Sequence, residues 1–101
     1  MKLLIITASK AFENHIKNIL ADAQVSTYSY NGVVGYRDST LDAVESNWFG
    51  TEMNKTPSVL FFAFVSLEQS DRVFHAVEIL NKEEDFRSKV HLAIANIEKS
   101  N

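Results

Sequence analysis

Few side chains in this sequence have the types and spacing that chemistry requires. The 101 residues include no cysteine, which excludes disulfides, thiolate metal sites and cysteine nucleophiles. His15, His75 and His91 lack the spacing of metal ligands, and no Asp or Glu lies in a recognisable ligand motif. No Gly-x-Ser-x-Gly, P-loop or paired-carboxylate pattern is present. The sequence therefore predicts neither a catalytic nor a metal site.

Two short basic stretches are candidates for binding an anion. Arg37 precedes Asp38, and Arg87 and Lys89 flank Ser88. Guanidinium and ammonium groups both suit phosphate and other anions, although ordinary surface charge explains the same residues.

Two large aromatic residues, Trp48 and Phe49, lie in a long polar connection. One interpretation is that they dock onto a target protein, because buried Trp often anchors an interface. The other is that they fold back as a lid on their own sheet or on a neighbouring subunit. A short helix from Ser39 or Thr40 to Gly50 would place Leu41, Val44 and Trp48 on one stripe.

Composition sets the class of protein. With 46% hydrophobic and 23% charged residues, the chain predicts one domain, residues 1–101. The net charge of −3 does not predict binding to nucleic acid or to anionic lipid, because proteins that bind them usually carry excess positive charge. No long apolar region follows the first residues, so we expect a cytoplasmic protein that does not insert into a membrane.

Hydrophobic periodicity predicts strand, helix and strand in the first half of the chain. Residues 2–7 form a continuous apolar run typical of a strand buried on both faces. Ser9 is expected to cap a helix whose apolar stripe includes Ile16 and Leu20. A second strand follows Val25, with a bend or bulge at Asn31-Gly32.

The second half repeats this order after a long loop, residues 37–56. Pro57 is expected to introduce a strand over 58–65, which ends at a capping box formed by Ser66 and Gln69. A helix of about 15 residues should follow, and a strand with alternating apolar residues closes the domain. The predicted apolar positions of that helix and strand are Val73, Ala76, Val77, Leu80, Val90, Leu92 and Ile94.

This order, βαββαβ, predicts the α+β ferredoxin-like architecture, in which two helices cover one face of a four-stranded antiparallel sheet. The strands at 3–6 and 59–65 are apolar at both odd and even positions, so one apolar face is left over. We expect a second copy of the chain to cover it, because monomers rarely expose large apolar patches. The alternative is that the long central segment folds over it.

The layout resembles the PII-like signalling proteins, which are small trimeric ferredoxin-like regulators. Gly32-Val33-Val34-Gly35-Tyr36-Arg37 is similar to the family's glycine-rich bend, and Thr56-Pro57 is similar to the proline that starts its third strand. The interval between Gly35 and Pro57 is similar in length to the family's T-loop. The resemblance covers the whole chain.

The resemblance implies a non-enzymatic regulatory trimer that acts on a partner protein, such as a membrane transporter or an enzyme. It also implies an adenine-nucleotide or small-anion site between subunits, and the matching or substituting residues are Gly35, Tyr36, Arg37, Arg87 and Lys89. The chain departs from the family at 81–88, which has no glycine where the phosphate-binding B-loop is glycine-rich, and which carries three acids.

A second hypothesis belongs to another class of protein. Dimeric ferredoxin-like enzymes or ligand-binding modules, such as the small cofactor-free monooxygenases, share this strand order, length and lack of cysteine. The mass in solution separates the two hypotheses, since a regulator of the first kind contains three chains and an enzyme of the second kind contains two.

Overall fold

The described part of the chain forms four strands and two α-helices in the predicted order. The structure is a computed structural model that describes residues 1–36, 55–83 and 89–101. The elements are β1 (Lys2–Ser9), α1 (Glu13–Asp22), β2 (Ser29–Tyr36), β3 (Lys55–Val65), α2 (Leu67–Glu83) and β4 (His91–Asn96). A short 3-10 turn, Lys10–Phe12, links β1 to α1.

The strands form one antiparallel sheet in the order β2-β3-β1-β4. Alternate residues of β1 and β3, such as Leu4, Ile6 and Phe61, are almost wholly buried on one face. They share a core with Ile16 of α1 and Val73 of α2, so both helices cover that face. The ferredoxin-like α+β fold is confirmed.

Side-chain caps form at the start of α2 and at the start of the turn that leads into α1. The Oγ of Ser66 accepts a hydrogen bond from the Gln69 amide at 3.1 Å, and the Ser66 amide donates to Gln69 Oε1 at 2.9 Å. This reciprocal pair is the predicted capping box. The Ser9 Oγ accepts from the Ala11 amide at 3.4 Å, so Ser9 caps the 3-10 turn that precedes α1. α1 itself begins after Phe12 and has no side-chain cap, so the prediction that Ser9 caps the helix was wrong.

Pro57 lies inside β3, so the prediction that it introduces the strand was wrong. β3 begins two residues earlier, at Lys55, and Pro57 pairs with Val34 of β2. On the other side of β3, β1 ends opposite Ser58. Pro57 therefore has no neighbouring strand on that side, and a proline is tolerated at such an edge.

The bulge predicted at Asn31-Gly32 is also wrong. The pairing of β2 with β3 is continuous from Ser29 opposite Phe62 to Tyr36 opposite Lys55. The predicted strand at Val90 begins one residue later, at His91, and β1 extends to Ser9. The helix predicted around Leu41, Val44 and Trp48 lies outside the described residues.

Candidate functional site

The end of the β2–β3 pair positions two of the candidate ligand residues, Gly35 and Tyr36. They pair with Thr56 and Lys55, beyond the point where β1 ends opposite Ser58. The last part of β2–β3 is therefore a two-stranded ribbon that projects from the four-stranded sheet. Residues 37–54 connect its two strands, so Gly35 and Tyr36 lie at the base of that segment.

Gly35 is required by a close contact across the ribbon. A Cβ on Gly35 would lie 2.6 Å from the Oγ of Ser58 and 3.3 Å from the carbonyl oxygen of Thr56. The Ser58 hydroxyl is itself held in place, because it donates a hydrogen bond to that same carbonyl at 3.0 Å. A larger residue at position 35 would have to displace this hydroxyl.

Lys89 lies at the opposite edge of the sheet, just before β4. Its Nζ donates a hydrogen bond to the carbonyl oxygen of Asn81 at 3.0 Å, at the end of α2. An ammonium group has three donors, so this bond orients Lys89 and leaves two donors for other partners.

One chain does not bring these candidates together. β2 and β4 occupy the two edges of the sheet, three strand spacings or about 14 Å apart. Gly35 lies in β2 and Lys89 lies just before β4. Arg37 and Arg87 lie outside the described residues, as do the candidate partner-binding residues Leu41, Val44, Trp48 and Phe49.

The face of the sheet opposite the helices carries a continuous apolar patch. Ile5, Phe62 and Phe64 are 37%, 42% and 57% exposed. Ile5 pairs with Phe62 and Leu3 pairs with Phe64, so the four side chains adjoin across two neighbouring strands. The sequence predicted this apolar face, and no described residue of the same chain covers it.

A contact between α1 and β2 was not predicted. The Nζ of Lys17 donates to Tyr30 Oη at 3.2 Å and to Glu13 Oε2 at 3.1 Å. The hydrogen bond with Tyr30, followed by the one with Glu13, raises the pKa of Lys17 above its ordinary value. Tyr30 in turn stacks on Phe61, with ring centroids 5.1 Å apart. The i, i+4 spacing of Glu13 and Lys17 was the available sequence signal.

The histidines do not converge. The ring of His15 packs against that of Phe12, with ring centroids 5.8 Å apart. His75 is exposed on α2, and His91 pairs with Thr7 at an edge of the sheet. Across 1–36, 55–83 and 89–101, no three His, Cys, Asp or Glu residues form a group that could hold a metal ion.

Neither α1 nor α2, the described α-helices, has the length and apolar character needed to cross a membrane.

Comparisons with known proteins identify the fold. No protein-family model and no curated protein matches the sequence. Among solved structures, the chain is similar to CPII, a nitrogen regulatory PII-like protein from Thiomonas intermedia K12, bound to ADP, AMP and bicarbonate. The TM-score is 0.61 and the identity 15%, over 99% of this chain and 94% of that one. The chain has the PII-like fold.

A second structure of CPII, bound to ADP and bicarbonate, gives a TM-score of 0.62 at 16% identity, over 97% of this chain and 88% of that one. The PII-like fold thus accounts for the whole length of the chain. The resemblance drawn from the glycine-rich bend and the long connection is confirmed at the level of the fold.

Proposed function

We propose that this chain is a non-enzymatic, cytoplasmic PII-like regulatory protein that assembles as a trimer. Residues 37–54, with Trp48 and Phe49, contact a partner protein. An adenine nucleotide or another small anion binds in the cleft between subunits and shifts the populations of that segment. The ligand residues are Gly35, Tyr36, Arg37, Arg87 and Lys89.

The observation that carries this proposal is the full-length PII-like fold, shared with a protein whose structures contain ADP, AMP and bicarbonate. Fold alone does not assign a ligand. Two features of this chain's own residues therefore supply the remaining support.

The first feature is the open apolar face. Burying a large apolar side chain contributes about 1.5–3 kcal/mol, and Ile5, Phe62 and Phe64 all remain partly in solvent in a single chain. Association through this face removes all three from water at once, which favours an oligomer over a monomer.

The second feature is the division of the ligand residues between the two edges of the sheet. Gly35 lies in one edge strand and Lys89 just before the other, and the two edge strands are about 14 Å apart in one chain. A second copy that places its β4 edge beside the β2 edge of the first would bring the two groups to one cleft. This supports a site between subunits.

Two measurements test the proposal. Analytical ultracentrifugation is expected to give the mass of three chains, whereas two chains would support the ferredoxin-like enzyme or ligand-binding module instead. Calorimetric titration with ADP, AMP and bicarbonate is expected to detect binding that Lys89→Met weakens and that Lys99→Met, a matched change in the exposed C-terminal segment, leaves intact. A trimer that binds none of the three ligands would overturn the nucleotide assignment alone.

A further inference from the structure

The open face of the sheet contains one side chain that can gain a charge near neutral pH. Leu92 and Ile94 of β4 pack against the core on the helix side. Because side chains alternate along a strand, His91 and Ala93 lie on the opposite, open face. His91 is exposed in the single chain, and the next position on its side of β4, Ala93, pairs with Ile5 of the apolar patch. His91 therefore lies at the border of the surface that a second copy is expected to cover.

The other described strand residues on this face carry no ionisable side chain. Their side chains are apolar, hydroxyl or amide groups, or they are glycine. The charged residues of the strands are Lys2 and Lys55. Lys2 pairs with the buried Val65, and Lys55 shares the alternation of the buried Phe61, so both lie on the helix side.

The charged groups nearest to His91 along the two central strands also lie on the helix side. Lys89 donates from its Nζ to the carbonyl oxygen of Asn81 at the end of α2. Lys10, which follows β1, lines a cleft together with Lys55. α1 and α2, with their acidic residues, pack on that side of the sheet as well.

The remaining charges beside β1 and β4 lie at the far end of these strands. The amino group of Met1 precedes β1, and Glu98 and Lys99 follow the end of β4 at Asn96. The five residues from His91 to Asn96 span about 16 Å. No carboxylate of the described chain therefore faces the imidazole of His91 to stabilise its protonated form.

Covering this face favours the neutral form of His91. A neutral imidazole is buried at modest cost, whereas a charged group that leaves water without a counter-charge costs far more. Histidine changes its charge between about pH 5 and 8. A face with no other charge also meets no like-charge repulsion from an identical copy. The face is thus suited to a second copy as long as His91 is neutral.

We propose that His91 makes assembly of this chain pH-dependent, because copies associate through the open face when His91 is neutral and separate when it is protonated. The switch rests on the association proposed above and adds its regulation. Each chain would release one proton on assembly and take it up again on dissociation.

The sign of the pH effect distinguishes this switch from overall charge. The separated chain binds more protons than the assembled one, so association weakens as the pH falls. The chain has a net charge of −3 at pH 7, so mild acidification lowers its overall charge and reduces repulsion between copies. Overall charge alone would therefore strengthen association on acidification.

Analytical ultracentrifugation of the full chain at pH 7.5 and 6.0 tests the proposal. The chain concentration at which half of the complex dissociates should be about fivefold or more higher at pH 6.0. Where the complex persists at the lowest concentration at both pH values, the midpoint of thermal unfolding at one fixed concentration reports the same linkage. That midpoint should then fall more on acidification in the natural chain than in a variant without His91.

Three variants separate His91 from the other histidines. His91→Leu keeps an apolar side chain and removes the charge, so its half-dissociation concentration should change less than about twofold between the two pH values. His75→Leu, at an exposed position on α2, is the matched control and should keep the pH response of the natural chain. His91→Lys carries a charge at both pH values and should dissociate about tenfold more readily than the natural chain at pH 7.5.

The possible outcomes distinguish the switch from the oligomer itself. Equal dissociation of the natural chain at the two pH values, stronger association at pH 6.0, or loss of the pH response in His75→Leu would overturn the switch and leave the proposed oligomer standing. Single chains at both pH values, at up to about 100 μM, would overturn the oligomer and the switch with it. A complex of two chains that weakens on acidification would support the switch and contradict the trimer.

Discussion

Asn81 and Val90 are joined by two hydrogen bonds, although the chain between them leaves α2 and enters β4. The Oδ1 of Asn81 accepts from the Val90 amide, and its Nδ2 donates to the Val90 carbonyl, both at 2.9 Å. Val90 is 2% exposed. One side chain thus satisfies both backbone groups of a buried residue and closes the connection between α2 and β4.

Replacing Asn81 by Ala should therefore destabilise the protein. Two hydrogen bonds are lost and two backbone groups beside a buried residue are left without their partner, so we expect a loss of about 2 kcal/mol in the free energy of unfolding. Urea denaturation measures this loss. Asn18→Ala, at an exposed position on α1, is the matched control and should cost less than about 0.5 kcal/mol. Equal stability of the two variants would contradict the role given to Asn81.

The two glycines of β2 should respond oppositely to Ala. At Gly32 a Cβ meets open space, so Gly32→Ala should stabilise the fold by about 0.5 kcal/mol through a less flexible unfolded chain. At Gly35 a Cβ would lie 2.6 Å from Ser58 Oγ, so Gly35→Ala should cost about 1 kcal/mol. Thermal unfolding of the two variants tests the difference in sign.

The cause of the Gly35 effect can be isolated with Ser58→Ala, which removes the crowding hydroxyl. In a double-mutant cycle, Gly35→Ala should cost less in the Ser58→Ala background than in the natural sequence. Equal costs in both backgrounds would mean that the Ser58 hydroxyl is not what makes Gly35 necessary.

A lysine on the open face should break the oligomer that we propose. Phe64→Lys places a charge at the centre of an apolar interface, and we expect the mass in solution to fall to one chain. Phe74→Lys is a matched control, because Phe74 is a similarly exposed phenylalanine, 44% against 57%, that lies on α2. Dissociation by Phe74→Lys, or an unchanged mass with Phe64→Lys, would place the interface elsewhere.

The contribution of Lys17 should depend on pH. Its hydrogen bond to Tyr30 raises its pKa above the unfolded value of 10.5. A raised pKa means that the protonated form is favoured in the folded state, so the stabilisation is present below pH 10.5 and is lost as the pH rises through the folded value. The difference in free energy of unfolding between the natural chain and Lys17→Met should therefore be constant from pH 7 to 9 and shrink above 10.5. Lys17→Met/Tyr30→Phe, compared with Tyr30→Phe alone, should show a smaller difference than Lys17→Met does in the natural chain, because the Tyr30 hydroxyl is the main cause of the raised pKa of Lys17.

The sequence predicted the elements well because each has a local signal. The capping box at Ser66 and Gln69 is complete within four residues, and the continuous apolar run of β3 is visible in a short window. The leftover apolar face also followed, since Phe62 and Phe64 alternate with buried positions in a fold whose helices cover one side.

The features that the sequence did not predict depend on strand register or on contacts between residues that are far apart in the chain. The sequence predicts a strand start at Pro57 because nothing in the neighbouring residues shows that β1 ends opposite Ser58. The contact of Gly35 with Ser58 needs the β2–β3 register, and the Asn81–Val90 pair needs the return of β4 to α2. A cleft beside the β2–β3 ribbon is lined by Lys10 and Lys55, which are far apart in the chain, so no motif could have shown it.

The central position of β1 has a kinetic consequence. β1 comes first among the described strands, yet its partners, β3 and β4, lie far along the chain, and Lys2 pairs with Asn96. Folding must therefore close long loops before the middle of the sheet forms, and domains dominated by such distant contacts fold slowly for their size. During synthesis, the apolar residues of β1 therefore stay unpaired until β3 and β4 have left the ribosome.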